Sequence, residues 1–249
     1  MTYNTTVTLG ADPELFFVDP TTGDFVSAYG LVEGTKEVPF PTEFGAVQLD
    51  GNAIEFNITP CLYVDDFVDR LKAGVNYCAS IAERNGLVLS FSPVANFRES
   101  YFKTLPEQCF ILGCSPDWNG KTGEVNAGPA IGYHPIRTSS GHVHIGWGDG
   151  EDTEFWAGPD RAKRLALVQH LGPIYDKISK KWENALSDER RNYYGYDWSF
   201  RLRTYGVEMR QLDALWLTRE DFMYEVFTTT QSETVKFLDS YDKQEQKAA

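Results

Sequence analysis

Four short stretches of the chain carry side chains able to do chemistry, and they share one spacing. Asp12-Pro-Glu14, Asn52-Ala-Ile-Glu55-Phe-Asn57, His142-Val-His144 and Glu208-Met-Arg210 place acids, imidazoles or a guanidinium at alternate positions. On an extended strand, residues i and i+2 share a face. The intervening and flanking Leu15, Phe17, Ile54, Phe56, Val143, Ile145, Val207 and Met209 then point the other way, and all are apolar. A sheet of such strands has a greasy face for a core and a second face of carboxylates, imidazoles and a guanidinium. Folding alone does not ask for that second face, whereas holding metal ions and phosphate does.

Taken singly, each stretch has a plain reading. Asp12 and Glu14 alone read as a solvated face, and Glu55 alone says less. His142 and His144 are either metal ligands or hydrogen-bonded structural histidines. Glu208 and Arg210 are either a cross-strand ion pair, or a carboxylate on a metal beside a guanidinium on a phosphate. The conjunction favours chemistry. Mixed carboxylate and imidazole donors suit Mg²⁺ or Mn²⁺ rather than a structural zinc. Several acids with an arginine nearby are the equipment for phosphoryl transfer from a nucleotide. Neither a Walker loop nor a kinase signature is present, so an ATP site would have to be built on the sheet itself. Lys36, in a Gly-containing loop, and Arg137, just ahead of the histidine strand, are candidate phosphate contacts. Asp50 is either an acid supporting the ligands or the turn residue that Gly51 suggests. Trp118, Tyr193, Tyr194 and Trp198 are candidates for stacking or for packing.

The elements that must position these groups follow from local pattern. A strand is expected from Thr5 through Val18, then a turn at Asp19–Asp24 and a partner strand at Phe25–Ala28. Gly30 to Pro41 reads as a loop. Val47–Ile58 reads as a strand interrupted at Asp50-Gly51 by a bulge or a tight turn. Asp65 to Arg84 has helical spacing and stops at Asn85-Gly86, and Leu87–Ser92 is a short strand. Asn96 to Gly132 lacks a period, and Gly113–Asn119 within it is expected to be an ordered functional loop. A strand around His142–Trp147 is followed by a helix from Pro159 to Ile178 with a kink at Pro173. Asp188 to Phe200 shows no period. Arg203–Leu212 is expected as the last strand and Glu220–Tyr241 as the last helix, with a frayed tail over Asp242–Ala249. The expected fold class is α+β: one domain over 1–249, a mostly antiparallel sheet, and helices on one of its faces.

Composition sets the outer limits. The 249 residues are 42% hydrophobic and 14% aromatic, enough for a substantial core. The formal charge of −13 argues against a broad nucleic-acid-binding surface and against an anionic membrane surface. Cys61, Cys78, Cys109 and Cys114 form no Cys-x-x-Cys pair and no familiar zinc spacing, so they read as buried or idle thiols. No signal peptide and no stretch of roughly 20 apolar residues is visible. A reducing cytoplasm is the expected compartment.

The same residues carry a resemblance. Gly10-Ala-Asp12-Pro-Glu14-Leu-Phe-Phe-Val-Asp19 resembles the first catalytic strand of the glutamine synthetase and glutamate–cysteine ligase superfamily. Asp50-Gly-Asn-Ala-Ile-Glu55-Phe-Asn57 resembles its second acidic strand, Ser140-Gly-His142-Val-His144-Ile-Gly146 its histidine strand, and Arg203-Thr-Tyr-Gly-Val-Glu208-Met-Arg210 its closing Glu-x-Arg strand. The order along the chain also agrees. Length and motif wording are most similar to the phage-encoded carboxylate–amine (COOH–NH2) ligases, which would place the protein in the host cytoplasm. One departure is Asp12, where many relatives have Glu, and a shorter arm alters metal reach.

The resemblance implies a glutamine synthetase-like catalytic domain that uses ATP and Mg²⁺ or Mn²⁺ to join a small-molecule or peptide carboxylate to an amine. Glu14 and Glu55 would hold one metal beside the acceptor carboxylate. Asp12, His142 and Glu208 would hold the metal on the ATP phosphates, and Arg210 would stabilise the transferring phosphoryl group. His144 would assist metal or substrate, and Arg203 and Arg201 would bind phosphate or a carboxylate. Two other classes stay open from the residues alone: a metal-dependent hydrolase using the same cluster to activate water, and a non-catalytic viral binding module that retained the fold.

Overall fold

The computed structural model describes residues 6–110, 117–126, 134–147 and 159–248. Strand β1 (Val7–Val18) alternates Leu9, Ala11, Leu15 and Phe17, all buried, with Thr8, Asp12 and Glu14 on the other side. β2 (Phe25–Val26) returns from the Asp19–Asp24 turn and pairs with the end of β1. A loop leads to β3 (Phe40–Pro41). β4 (Gly45–Asp50) and β5 (Ala53–Ile58) form a hairpin in which Asp50 faces Ala53. The interruption at Asp50-Gly51 is therefore a tight turn, with Gly51 at φ 57°, the left-handed conformation that glycine adopts without penalty.

Helix α1 (Val64–Arg84) buries Phe67, Val68, Leu71, Cys78 and Ile81 along one stripe. Gly74 lies on that stripe where a Cβ would run into the Phe56 ring, so glycine lets helix and sheet approach closely. β6 (Val88–Ser90) then pairs with β1. β7 (Val94–Asn96) and β8 (Ile136–Thr138) form a separate ribbon, with the short α2 (Glu99–Phe102) following β7. β9 (Gly141–Trp147) is the histidine strand. Helix α3 (Pro159–Ser179) runs on through Pro173, and α4 (Ala185–Arg191), β10 (Phe200–Arg203), β11 (Gly206–Met209) and α5 (Glu220–Ala248) complete the chain.

Among the described residues nine strands share one sheet, in the order β10-β11-β9-β1-β5-β4-β3 with β2 and β6 on the far end of β1, and its pairings are all antiparallel. Helices α1, α3 and α5 cover its apolar face, joining Leu9, Phe56, Val143, Ile145 and Val207 in one core. The mixed α and β architecture on an antiparallel sheet agrees with the α+β expectation. Among the described residues, no helix is long and apolar enough to cross a membrane.

Three local expectations are corrected. The segment expected as one strand over Arg203–Leu212 is a hairpin: β10 begins at Phe200 and turns at Thr204-Tyr205. The apolar alternation Phe200, Leu202, Val207, Met209 is continuous only once the turn residues are removed. The stretch from Asp188 hides α4, which starts earlier, behind a capping box in which Asn184 accepts from Leu186 and Ser187 backbone N–H groups and Ser187 Oγ accepts from Asn184 N. The tail expected to fray continues α5 to Ala248; its Lys, Gln, Glu and Ala residues are good helix formers on an already nucleated helix. The expected functional loop at Gly113–Asn119 falls partly outside the described residues, since only 117–119 of it are described, and Cys114 lies outside as well. The other three cysteines are free, buried thiols.

Candidate functional site

The polar face of the sheet is built by strand register. Asp12 faces His142 and Gly10 faces His144 across β1 and β9. Glu14 faces Glu55, which faces Gln48. Glu208 lies opposite His144 on one side and Arg201 on the other. Gly10 carries no side chain, so Asp12 reaches diagonally across it to both imidazoles. Its Oδ1 lies 2.9 Å from His144 Nε2 and 3.1 Å from His142 Nδ1.

Two groups of possible cation ligands result, each with donor atoms within 4.8 Å of one another: Glu14, Asp50 and Glu55, and Asp12, His144 and Glu208. The first group adds Asp50 to the expected pair, so this residue at the hairpin turn is a member of the cluster. The second group contains His144 in place of the expected His142. His142 is engaged through both nitrogens, Nδ1 with Asp12 and Nε2 with the Tyr194 hydroxyl at 3.2 Å. It is buried, and desolvation with the nearby Arg210 depresses its pKa to about 3, so it holds Asp12 as a neutral donor. His144 keeps Nε2 toward Asp12, while its Nδ1 meets the Tyr205 hydroxyl.

Charge is distributed unequally between the groups. Burial raises the Glu14 pKa to about 7, with Asp50 pushing the same way and a 2.6 Å bond from Ser140 Oγ opposing. Glu55 is driven well above the usual carboxylate range by burial and by Asp12, Asp50 and Glu14, against a 2.8 Å bond from Gln48. Lys36 reaches in and places its ammonium 2.7 Å from Asp50 Oδ2. Asp12, by contrast, is held below its ordinary value: desolvation opposes this, but His144 and His142 prevail. Glu208 is fully buried and receives Arg210 on Oε1 and Arg203 on Oε2, the latter through Nε at 2.6 Å, with Arg201 3.5 Å away.

Apart from Glu208, which is fully buried and lines neither, the members of both groups line two adjoining cavities that share Asp12, Glu55, Gln48 and Arg203. One, of about 360 Å³, adds Lys36, Arg137, Arg201, Arg210 and Tyr194; the other, of about 430 Å³, adds His144, Asn57, Ile58, Pro60 and Tyr205. At one end, Phe16, on the same side of β1 as Asp12 and Glu14, joins Ala53, Ala95, Phe97 and Phe102 in a small second core. Arg137 stands in the first cavity's wall, but its terminal nitrogens donate to the carbonyls of His134, Ile136 and Cys109. Of the four aromatic candidates, only Tyr194 lines this cavity. Trp118 packs under Arg161, Trp198 donates to Asp176, and Tyr193 is on the surface.

Several supporting residues carry little signal in the sequence. Arg190, on α4, is buried and donates to the carbonyls of Ser139, Gln211 and Arg210, tying the segment before β9 to the segment after β11. Tyr205 sits at a turn expected as mid-strand. Gln48 is legible only from the i+2 relation to Asp50. The donor sets fit hard divalent cations: an all-carboxylate group and a carboxylate–imidazole group, both desolvated, suit Mg²⁺ or Mn²⁺. No family model and no curated protein matches this chain.

Proposed function

We propose that this chain is an ATP-dependent carboxylate–amine ligase with a glutamine synthetase-like catalytic sheet, related to the phage-encoded COOH–NH2 ligases its motifs resemble. The observation that carries this reading is the pair of cation-ligand groups set side by side on one sheet face, over a cavity lined by Arg201, Arg203 and Arg210. Paired cations and a wall of arginines suit the charge of a triphosphate, which the ligase reading needs.

In the proposed reaction a carboxylate oxygen attacks the γ-phosphorus of ATP and ADP leaves. The amine nitrogen then attacks the carbonyl carbon, inorganic phosphate leaves, and the nitrogen loses a proton. Phosphorylation turns a poor electrophile into one with a good leaving group. Divalent cations, when bound, supply the charge neutralisation that phosphates in a carboxylate-lined site require. Glu14, Asp50 and Glu55 would hold one such cation, and Asp12, His144 and Glu208 the other. His142 keeps Asp12 oriented, and Arg210 and Arg203 meet phosphoryl charge.

The test is incubation with ATP, Mg²⁺ and mixed amino acids, following ADP. Release of ADP that depends on the amine, and that falls by about a hundredfold or more in Glu55→Gln, is the expected result. Breakdown of a substrate without nucleotide would instead establish the hydrolase.

A further inference from the structure

The loop before β3 ends in a device the ligase reading does not require. Gly34 lies against β4: its carbonyl accepts from Leu49 N at 3.2 Å, its φ is 88°, and a Cβ there would sit 2.6 Å from the Val47 carbonyl oxygen. Only glycine allows the backbone to rest so closely on the strand. The next residues form a turn closed by Thr35 N to Val38 O at 3.0 Å, with Val38 N bound to Thr35 Oγ1 at 3.2 Å. Lys36 leaves this fixed turn beside Asp50, one of the three acids. Burial opposes its charge, but Asp50, with Glu55 and Glu14 behind it, more than offsets this and raises the pKa above the ordinary lysine value.

We propose that Lys36 is a tethered counter-cation of the Glu14–Asp50–Glu55 group, which a divalent cation must displace from Asp50 in order to bind. This rests on the two-cation ligase reading above. The geometry supplies the reason. Three carboxylates within 4.8 Å of one another repel, and the ammonium bound to one of them relieves that repulsion while no ion is present. A divalent ion drawing on the same oxygens would stand a few ångströms from the ammonium, and two cations at that distance repel. The turn backbone is pinned while the lysine arm is long and half-exposed. Displacement therefore moves only the side chain, and leaves the ammonium in the cavity that already holds Arg201 and Arg210. The lysine thus exchanges an acid of the protein for the anion that arrives with the metal, so that the site binds metal and anion together better than metal alone.

The experiment is a Mn²⁺ titration of the full chain without nucleotide, reading free Mn²⁺ by electron paramagnetic resonance, on the wild type, Lys36→Gln and Lys36→Arg. Lys36→Gln is expected to bind Mn²⁺ about tenfold more tightly, a coupling of ordinary size, and Lys36→Arg to stay near the wild type. Without Mn²⁺, Lys36→Gln should melt at a lower temperature than the wild type and gain more on adding the ion. If the wild type binds Mn²⁺ and Lys36→Gln binds it no more tightly, the Lys36 assignment falls and the ligase reading stands. If neither binds, both fall.

Discussion

The two ligand groups lie on the same face of one sheet and are fed by the same strand, yet they reach charge balance differently. Asp12 and Glu208 are balanced from within, by the His144 imidazole on Asp12 and by arginines on Glu208. Glu14, Asp50 and Glu55 have one lysine among three acids, and two of those acids are pushed upward in pKa. In the first group burial and Asp12 push Glu208 upward as well, against His144 and its arginines, and an ion must enter by rearranging those partners. The second is left short of positive charge, and the fold tolerates this because part of the proton load stays on the carboxyls. Under the ligase reading, a divalent cation would fill that deficit.

The comparison breaks most clearly at Glu208. Glu208→Ala removes the partner of Arg203 and of the buried Arg210, and is expected to cost about 3 kcal/mol or more, read as a loss in urea unfolding. If stability is unchanged, the internally balanced description of that group is wrong. Glu14→Gln should do the reverse: with one acid fewer to repel, the cation-free protein is expected to gain about 1–3 kcal/mol near neutral pH while its stabilisation by Mg²⁺ shrinks.

A pH series sharpens the same contrast. The Glu14 pKa rises on folding from 4.5 to about 7, so between those values the native state binds more protons than the unfolded one. Its contribution to stability is therefore greatest at the acid end and is lost as pH rises toward 7. Thermal midpoints of the cation-free wild type should carry that downward component, flattened by saturating Mg²⁺ or by Glu14→Gln. Asp12 has the opposite sign: its folded pKa lies below 3.8, so its contribution is present above that value and is lost only as pH falls further. The smallest effect is expected at Tyr205. Tyr205→Phe removes the hydroxyl that orients His144 and should weaken one Mn²⁺ site about tenfold, seen in the same titration, with the other site unaffected.

Much of this face was legible because alternation on strands is a short-range signal. Asp12, Glu14, Glu55, His144 and Glu208 could be assigned to one face from i and i+2 relations alone, and the flanking apolar residues fixed which side met the core. What could not be read depends on register between strands. Asp50 joins Glu14 only because β4 and β5 form a hairpin beside β1. His144 faces Glu208 because of how β9 and β11 align, while His142 Nδ1, one pair further along, still lies 3.6 Å from Glu208 Oε1. Arg190 acts from α4, whose charged residues without a clear period hide the helix, and Tyr194, a candidate by residue type alone, reaches His142 from the segment after it. Tyr205 was lost when a two-residue turn was read as strand.

Pro13 stands between the two acids that β1 contributes, one to each group. Its ring holds φ near −65°, so the stretch of chain joining Asp12 to Glu14 has lost one of its few soft torsions. On an extended strand those two attachment points lie roughly 6.6 Å apart. The chain thus carries a stiff ruler whose length sets how far apart these two acids stand, and lengthening the chain at that place by one residue would turn one of the pair to the other side of the sheet.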